Sequence, residues 1–103
     1  MAKETDKPRR VSDQEVRETI LAFCRMAGLD GKIKPETVAM EILPRHWRTL
    51  LKRIRIMSRH LAHEGKIIIL RKGEPADPDD FKGLYRLRIT EKGLHEEEET
   101  ETL

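Results

Sequence analysis

Between positions 45 and 59 the chain carries Arg45, Arg48, Lys52, Arg53, Arg55 and Arg59, and the next acid along the chain is Glu64. On a helical wheel at 100° per residue, Arg45, Arg48, Lys52, Arg55 and Arg59 fall within about 80° of one another. A basic ridge of this kind can contact nucleic acid in two ways. Either base can pair with phosphate oxygens, and arginine can bind guanine O6 and N7 together in the major groove. Arg86 and Arg88, two residues apart in a later apolar run, are the next candidates for phosphate contact. The bland alternative is a solvated face whose arginine stems cover apolar surface and whose heads pair with Glu18, Glu36 or Glu41.

The other reactive side chains do not assemble into a catalytic set. His60 and His63 could present two imidazoles from adjacent turns to a metal, but no third or fourth ligand stands near them in the sequence. Cys24 shares an apolar face with Ile20, Phe23 and Ala27 and reads as a small buried filler rather than a nucleophile. Trp47 opens an apolar stripe and reads as a core anchor rather than a base-stacking ring. The chain has no glycine-rich phosphate loop, His-Glu metal motif or paired acid and base. Neither an enzyme, a cofactor nor a metal site is expected.

A third helix over 45–64 must carry the ridge, because Trp47, Leu50, Leu51, Ile54, Met57, Ser58 and Leu61 keep the i, i+3, i+4, i+7 rhythm as far as Gly65. Ser12 and Glu15 form a capping-box pattern with Val11 and Val16 as a staple, so a first helix is predicted over 13–27 with Gly28 at its end. Pro35 suits the first turn of a second helix over 35–43, which Pro44 stops. Two Ile- and Leu-rich runs, 66–72 and 84–90, read as an antiparallel hairpin around a long loop from Gly73 to Gly83. In the second run Tyr85, Leu87 and Ile89 share one face and Arg86, Arg88 and Thr90 the other. Ile33 is placed to add a short third strand. The fold class is α+β: a winged helix-turn-helix of three helices followed by a β-hairpin wing, in which the third helix is the one that enters the major groove.

The residues Pro35-x-x-Val38-Ala39, Trp47-Arg48-x-Leu50, Arg55, Gly65-Lys66-Ile67, Lys72-Gly73-x-Pro75-x-Asp77-Pro78 and Gly83-x-Tyr85-Arg86-Leu87 together resemble a small bacterial family of unknown function, number 3253 among such domains. The resemblance spans roughly residues 13–90, and its Lys-Gly-x-Pro-x-Asp-Pro loop is the most specific part. It implies a winged-helix-like fold and no biochemical activity.

Charge is segregated along the 103 residues. Residues 1–10 sum to +2, residues 11–95 to +5, and residues 96–103 hold five glutamates and no base. The expected organisation is a disordered basic arm over 1–10, a winged-helix domain over 11–93 and a disordered acidic tail over 94–103. A single cysteine, no apolar signal stretch and no apolar run near 20 residues favour a cytoplasmic protein without membrane insertion. The partner expected first is double-stranded DNA, bound through helix 3 by a transcription-related factor. Glu74, Asp77, Asp79 and Asp80 in the wing would be repelled by phosphate. They motivate the alternative, a protein-interaction adaptor that uses its acidic wing and tail.

Overall fold

The structure, a computed structural model, describes the backbone of residues 9–101 and the side chains of residues 9–96. The first eight residues of the expected arm and the last two of the tail lie outside the described residues. Helix α1, Asp13–Ala27, starts as its sequence directs: the Ser12 hydroxyl accepts from the Glu15 amide at 3.0 Å, and Val11 and Val16 are both buried. The other half of the capping box is replaced. Glu15 pairs with Arg9 at 2.9 Å, which holds its carboxyl below the usual range. Helix α2, Pro35–Ile42, begins on its proline and buries Val38, Ala39 and Ile42.

The third helical segment is shorter than the 45–64 expected. Residues 44–46 form a turn, Trp47–Leu50 a single 3₁₀ turn, and helix α3 proper is Leu51–His63. The cause is local hydrogen bonding. The His46 amide donates to the Leu43 carbonyl at 3.1 Å, and both the amide and the hydroxyl of Thr49 donate to the His46 carbonyl. These bonds offer the backbone an alternative to the α-helical ladder. The 3₁₀ geometry stacks residues three apart on one side, which puts Trp47 and Leu50 on the same side; Leu50 is buried there, and Trp47, at the open end of the turn, is only half-buried against the core. Trp47 is a partial anchor, not the fully covered one its place in the stripe suggested.

Strand β1, Ile67–Arg71, is the centre of the sheet. It pairs antiparallel with β2, Glu74–Pro75, on one side and with β3, Arg86–Ile89, on the other. The wide hairpin expected between the two long runs is the β1–β3 pair, with Ile67 opposite Ile89 and Leu70 opposite Arg86. The tight β1–β2 hairpin was not anticipated. Ile33 bridges Leu87 through bonds of 2.9 and 3.0 Å and gives the sheet its expected short edge. Ile67, Ile69, Leu87 and Ile89 face α1 and α3 across the core, which includes Ile20, Ile54 and Leu61. Three helices packed on a small antiparallel sheet in this order make an α+β winged-helix arrangement.

Past the domain boundary expected at 93 the chain continues as helix α4, Glu91–Glu101. Its first turn is fastened rather than solvated. The Thr90 hydroxyl accepts from the Gly93 amide at 3.0 Å, and Leu94 packs against the core. Position 93 must lack a side chain, since a Cβ there would lie 2.2 Å from the Lys66 carbonyl oxygen.

The C-terminal end of α3 carries an acid, Glu64, where the helix dipole disfavours negative charge. The compensation comes from outside the helix. Arg17 of α1 donates two bonds to the Glu64 carboxylate, at 2.8 and 2.9 Å, and Lys66 lies 3.1 Å from it and 2.8 Å from Glu96. The Arg17 bonds first, and Lys66 after them, hold the Glu64 carboxyl down at about 2 against an ordinary 4.5. A carboxyl with a lowered folded pKa stabilises fully above its unfolded value, and that contribution is lost as pH falls toward 2. Thermal melts between those limits should therefore fall more steeply for the native chain than for Glu64→Gln. Parallel curves would show that the ion pair contributes nothing.

Ser58 is fully buried in α3, and its hydroxyl has no hydrogen-bond partner among the described residues. A buried donor left unpaired costs about 1 to 3 kcal/mol. Ser58→Ala removes the hydroxyl with little change in volume, so it should raise stability by about 1 kcal/mol, read from urea unfolding. A loss of stability would mean that the hydroxyl has a partner after all.

Candidate nucleic-acid interface

Helices α2 and α3, joined through residues 43–50, form the helix-turn-helix, and the ridge residues fall into two groups along it. Arg45 lies in the turn before the 3₁₀ segment, Arg48 within that segment, and Lys52 in the first turn of α3. All three are exposed, and none makes an ion pair among the described residues. The Arg48 guanidinium lies over the Trp47 ring, 4.3 Å from its centroid, which restrains the stem and leaves the charge uncancelled. Lys52 also lines a shallow cleft of about 310 Å³ together with Pro35, Glu36, Leu51, Arg55 and Tyr85. Glu36 brings an acid to that cleft.

Arg55 and Arg59 are occupied by the wing loop. The loop leaves the sheet at Ala76, whose amide donates to the Ile69 carbonyl at 2.8 Å, and it turns where Asp77 accepts from the Asp79 amide at 2.9 Å. Phe81 is then buried, edge-on to Tyr85 with ring centroids 5.0 Å apart. The Arg55 guanidinium sits 4.1 Å from the Phe81 centroid and donates to the Phe81 carbonyl. One turn further along, Asp79 accepts from Arg59 at 3.0 Å and meets the His63 ring nitrogen at 2.8 Å. His63 and then Arg59 hold the Asp79 carboxyl below its usual range. The loop therefore lies across the C-terminal half of the outer face of α3, with Pro78 beside Ile56.

The remaining candidates have separate places. Arg86 and Arg88 are half-buried on the outer face of the sheet, where they donate to the carbonyls of Tyr85 at 3.0 Å and Gly31 at 3.1 Å. Arg53, outside the ridge, donates to the Val11 carbonyl and lies 3.6 Å from Asp13. Asp77 caps the turn of the wing loop. Asp79 and Phe81, which decide how much of the ridge is exposed, were missed as site residues because their partners lie 16 to 26 residues away. The available signal was a lone aromatic inside an otherwise polar loop.

Cys24 lies in the core beside α1's other buried residues, and burial pushes its thiol up to about 12. Among the described residues no group of three or more His, Cys, Asp or Glu could hold a metal, and no helix is long and apolar enough to cross a membrane. No curated protein matches the chain. The helix-turn-helix, the sheet and the wing loop all fall within residues 13–90, the span that matches the family described as "Protein of unknown function (DUF3253)", and the chain belongs to that family.

Proposed function

We propose that the chain binds double-stranded DNA through the N-terminal end of its third helical segment, as a small transcription-related factor. The observation that carries this reading is the exposure of Arg45, Arg48 and Lys52, without ion-pair partners among the described residues, at that end of the segment. Helix-turn-helix proteins contact base edges from the N-terminal residues of this helix, and arginine and lysine there can reach both phosphate and guanine. Charge supports it as well. Asp79, the wing acid nearest α3, is already engaged by Arg59 and His63, so its charge opposes a phosphate backbone less than the loop's composition suggests. The same pairing weakens the adaptor alternative, which needs that acid for a partner.

The test is a fluorescence anisotropy titration of a random-sequence duplex with the full chain at two salt concentrations. Binding should be measurable at micromolar protein in about 50 mM salt and weaken on a log–log slope of about 0.9 per phosphate contact. Absence of binding at the lower salt would reject the reading.

A further inference from the structure

The hairpin tip, Lys32 and the residues from Leu84 to Arg86 line a groove of about 460 Å³. Small-molecule sites commonly occupy about 300 to 1,000 Å³. Four of its lining side chains, Lys32, Arg71, Lys72 and Arg86, are cationic and none is acidic. The apolar part is Leu70, Leu84 and Tyr85. Leu70 is 2% exposed and lies outside the main core cluster, whereas Leu84 is 72% exposed at the rim.

The charges are oriented but not cancelled. Arg71 donates to the Leu84 carbonyl at 2.6 Å and Arg86 to the Tyr85 carbonyl at 3.0 Å, and both acceptors are neutral. None of the four cations makes an ion pair among the described residues. Arg71 is also confined by Gly83, where a Cβ would come within 3.2 Å of its Nη1.

The hairpin adds a second, independent observation. Arg71 pairs with Glu74, so Lys72 and Gly73 make a two-residue turn, and both have positive φ, 53° and 82°. That is a type I′ turn, whose first position favours Asn, Asp or Gly. Lysine is disfavoured in this left-handed conformation, yet here it sets a fourth cation on the groove.

We propose that this groove binds a phosphate monoester joined to an apolar or aromatic group, presented either by a soluble metabolite or by a lipid headgroup. A phosphate monoester carries about −1.5 to −2 at pH 7, which suits four uncompensated cations better than a single carboxylate does. The adjoining apolar group covers Leu84. The proposal does not rest on duplex binding.

The experiment titrates the full chain with 1-naphthyl phosphate, followed by NMR, with inorganic phosphate and 1-naphthol as its two halves. The ester should bind about tenfold tighter than either half, because only it satisfies both charge and apolar surface. Lys72→Asn supplies the residue the turn favours, so the variant should melt at or above the native temperature while ester affinity falls about two- to fivefold. Leu84→Ser should weaken the ester and leave inorganic phosphate unaffected. Co-sedimentation with phosphatidic acid vesicles that the ester reverses would assign the phosphate to a lipid. Ester binding without co-sedimentation would assign it to a metabolite. Equal affinity for the ester and inorganic phosphate, unchanged ester affinity in a folded Lys72→Asn chain, or displacement of the ester by duplex DNA would each overturn the proposal.

Discussion

Alanine in place of Phe81 is expected to lower the stability of the domain by about 3 kcal/mol, at the lower end of the range for a buried phenylalanine. Three losses add together. Phe81 is 8% exposed, so deleting its ring forfeits most of the apolar burial that docks the loop and leaves a cavity beneath it. Its edge-on contact with Tyr85 disappears, and so does the aromatic face under the Arg55 guanidinium. In a domain of this size each kcal/mol moves the melting temperature by about 4 to 8 °C, so the midpoint should fall by more than about 10 °C. A shift of only a few degrees would show that the loop is not docked on α3. Phe81→Leu, which keeps apolar volume but not the ring, should recover part of the loss and so separate packing from the aromatic contacts.

The second large effect is on duplex binding, and it should be uneven along the ridge. Arg48→Ala combined with Lys52→Ala removes two exposed bases, so the slope of log affinity against log salt should fall by about 1.8, two contacts at about 0.9 each. Arg59→Ala should change the slope little, because Asp79 already neutralises that guanidinium at 3.0 Å. Asp79→Asn tests the same point from the other side. It releases Arg59 while leaving the helix intact, and low-salt affinity should rise. Were Arg59→Ala to flatten the salt dependence as strongly as the Arg48 and Lys52 pair, the loop would have to leave α3 when DNA binds.

Much of the framework was legible because it depends on short-range rules. The Ser12 cap, Pro35 at a helix start and the alternation of Tyr85, Leu87 and Ile89 act within a few residues of themselves. The structure places a helix end or a buried strand face at each. The 3₁₀ turn at Trp47–Leu50 was less legible. An i, i+3 pattern satisfies α and 3₁₀ geometry alike, and the Thr49 bonds that select between them carry no hydrophobic signature.

Length, segregated charge, the order of the first three helices and the two long strands, and the place of Arg48, Lys52, Arg55 and Arg59 on the third helical segment follow from the sequence alone, since each is set by residues near one another in the chain. Which ridge residues remain exposed was decided by tertiary structure. Phe81 finds its apolar surroundings only against Arg55 and Tyr85, and docking it brings Asp79 to Arg59 and His63. The basic groove has the same origin. Lys32 reaches Arg71, Lys72 and Arg86 only because Ile33 pairs with Leu87 at one edge of a sheet whose central strand turns back at Lys72. A linear pattern records which residues repeat, whereas the burial of one aromatic ring and the pairing of one sheet edge depend on contacts that span about a quarter and about half of the chain.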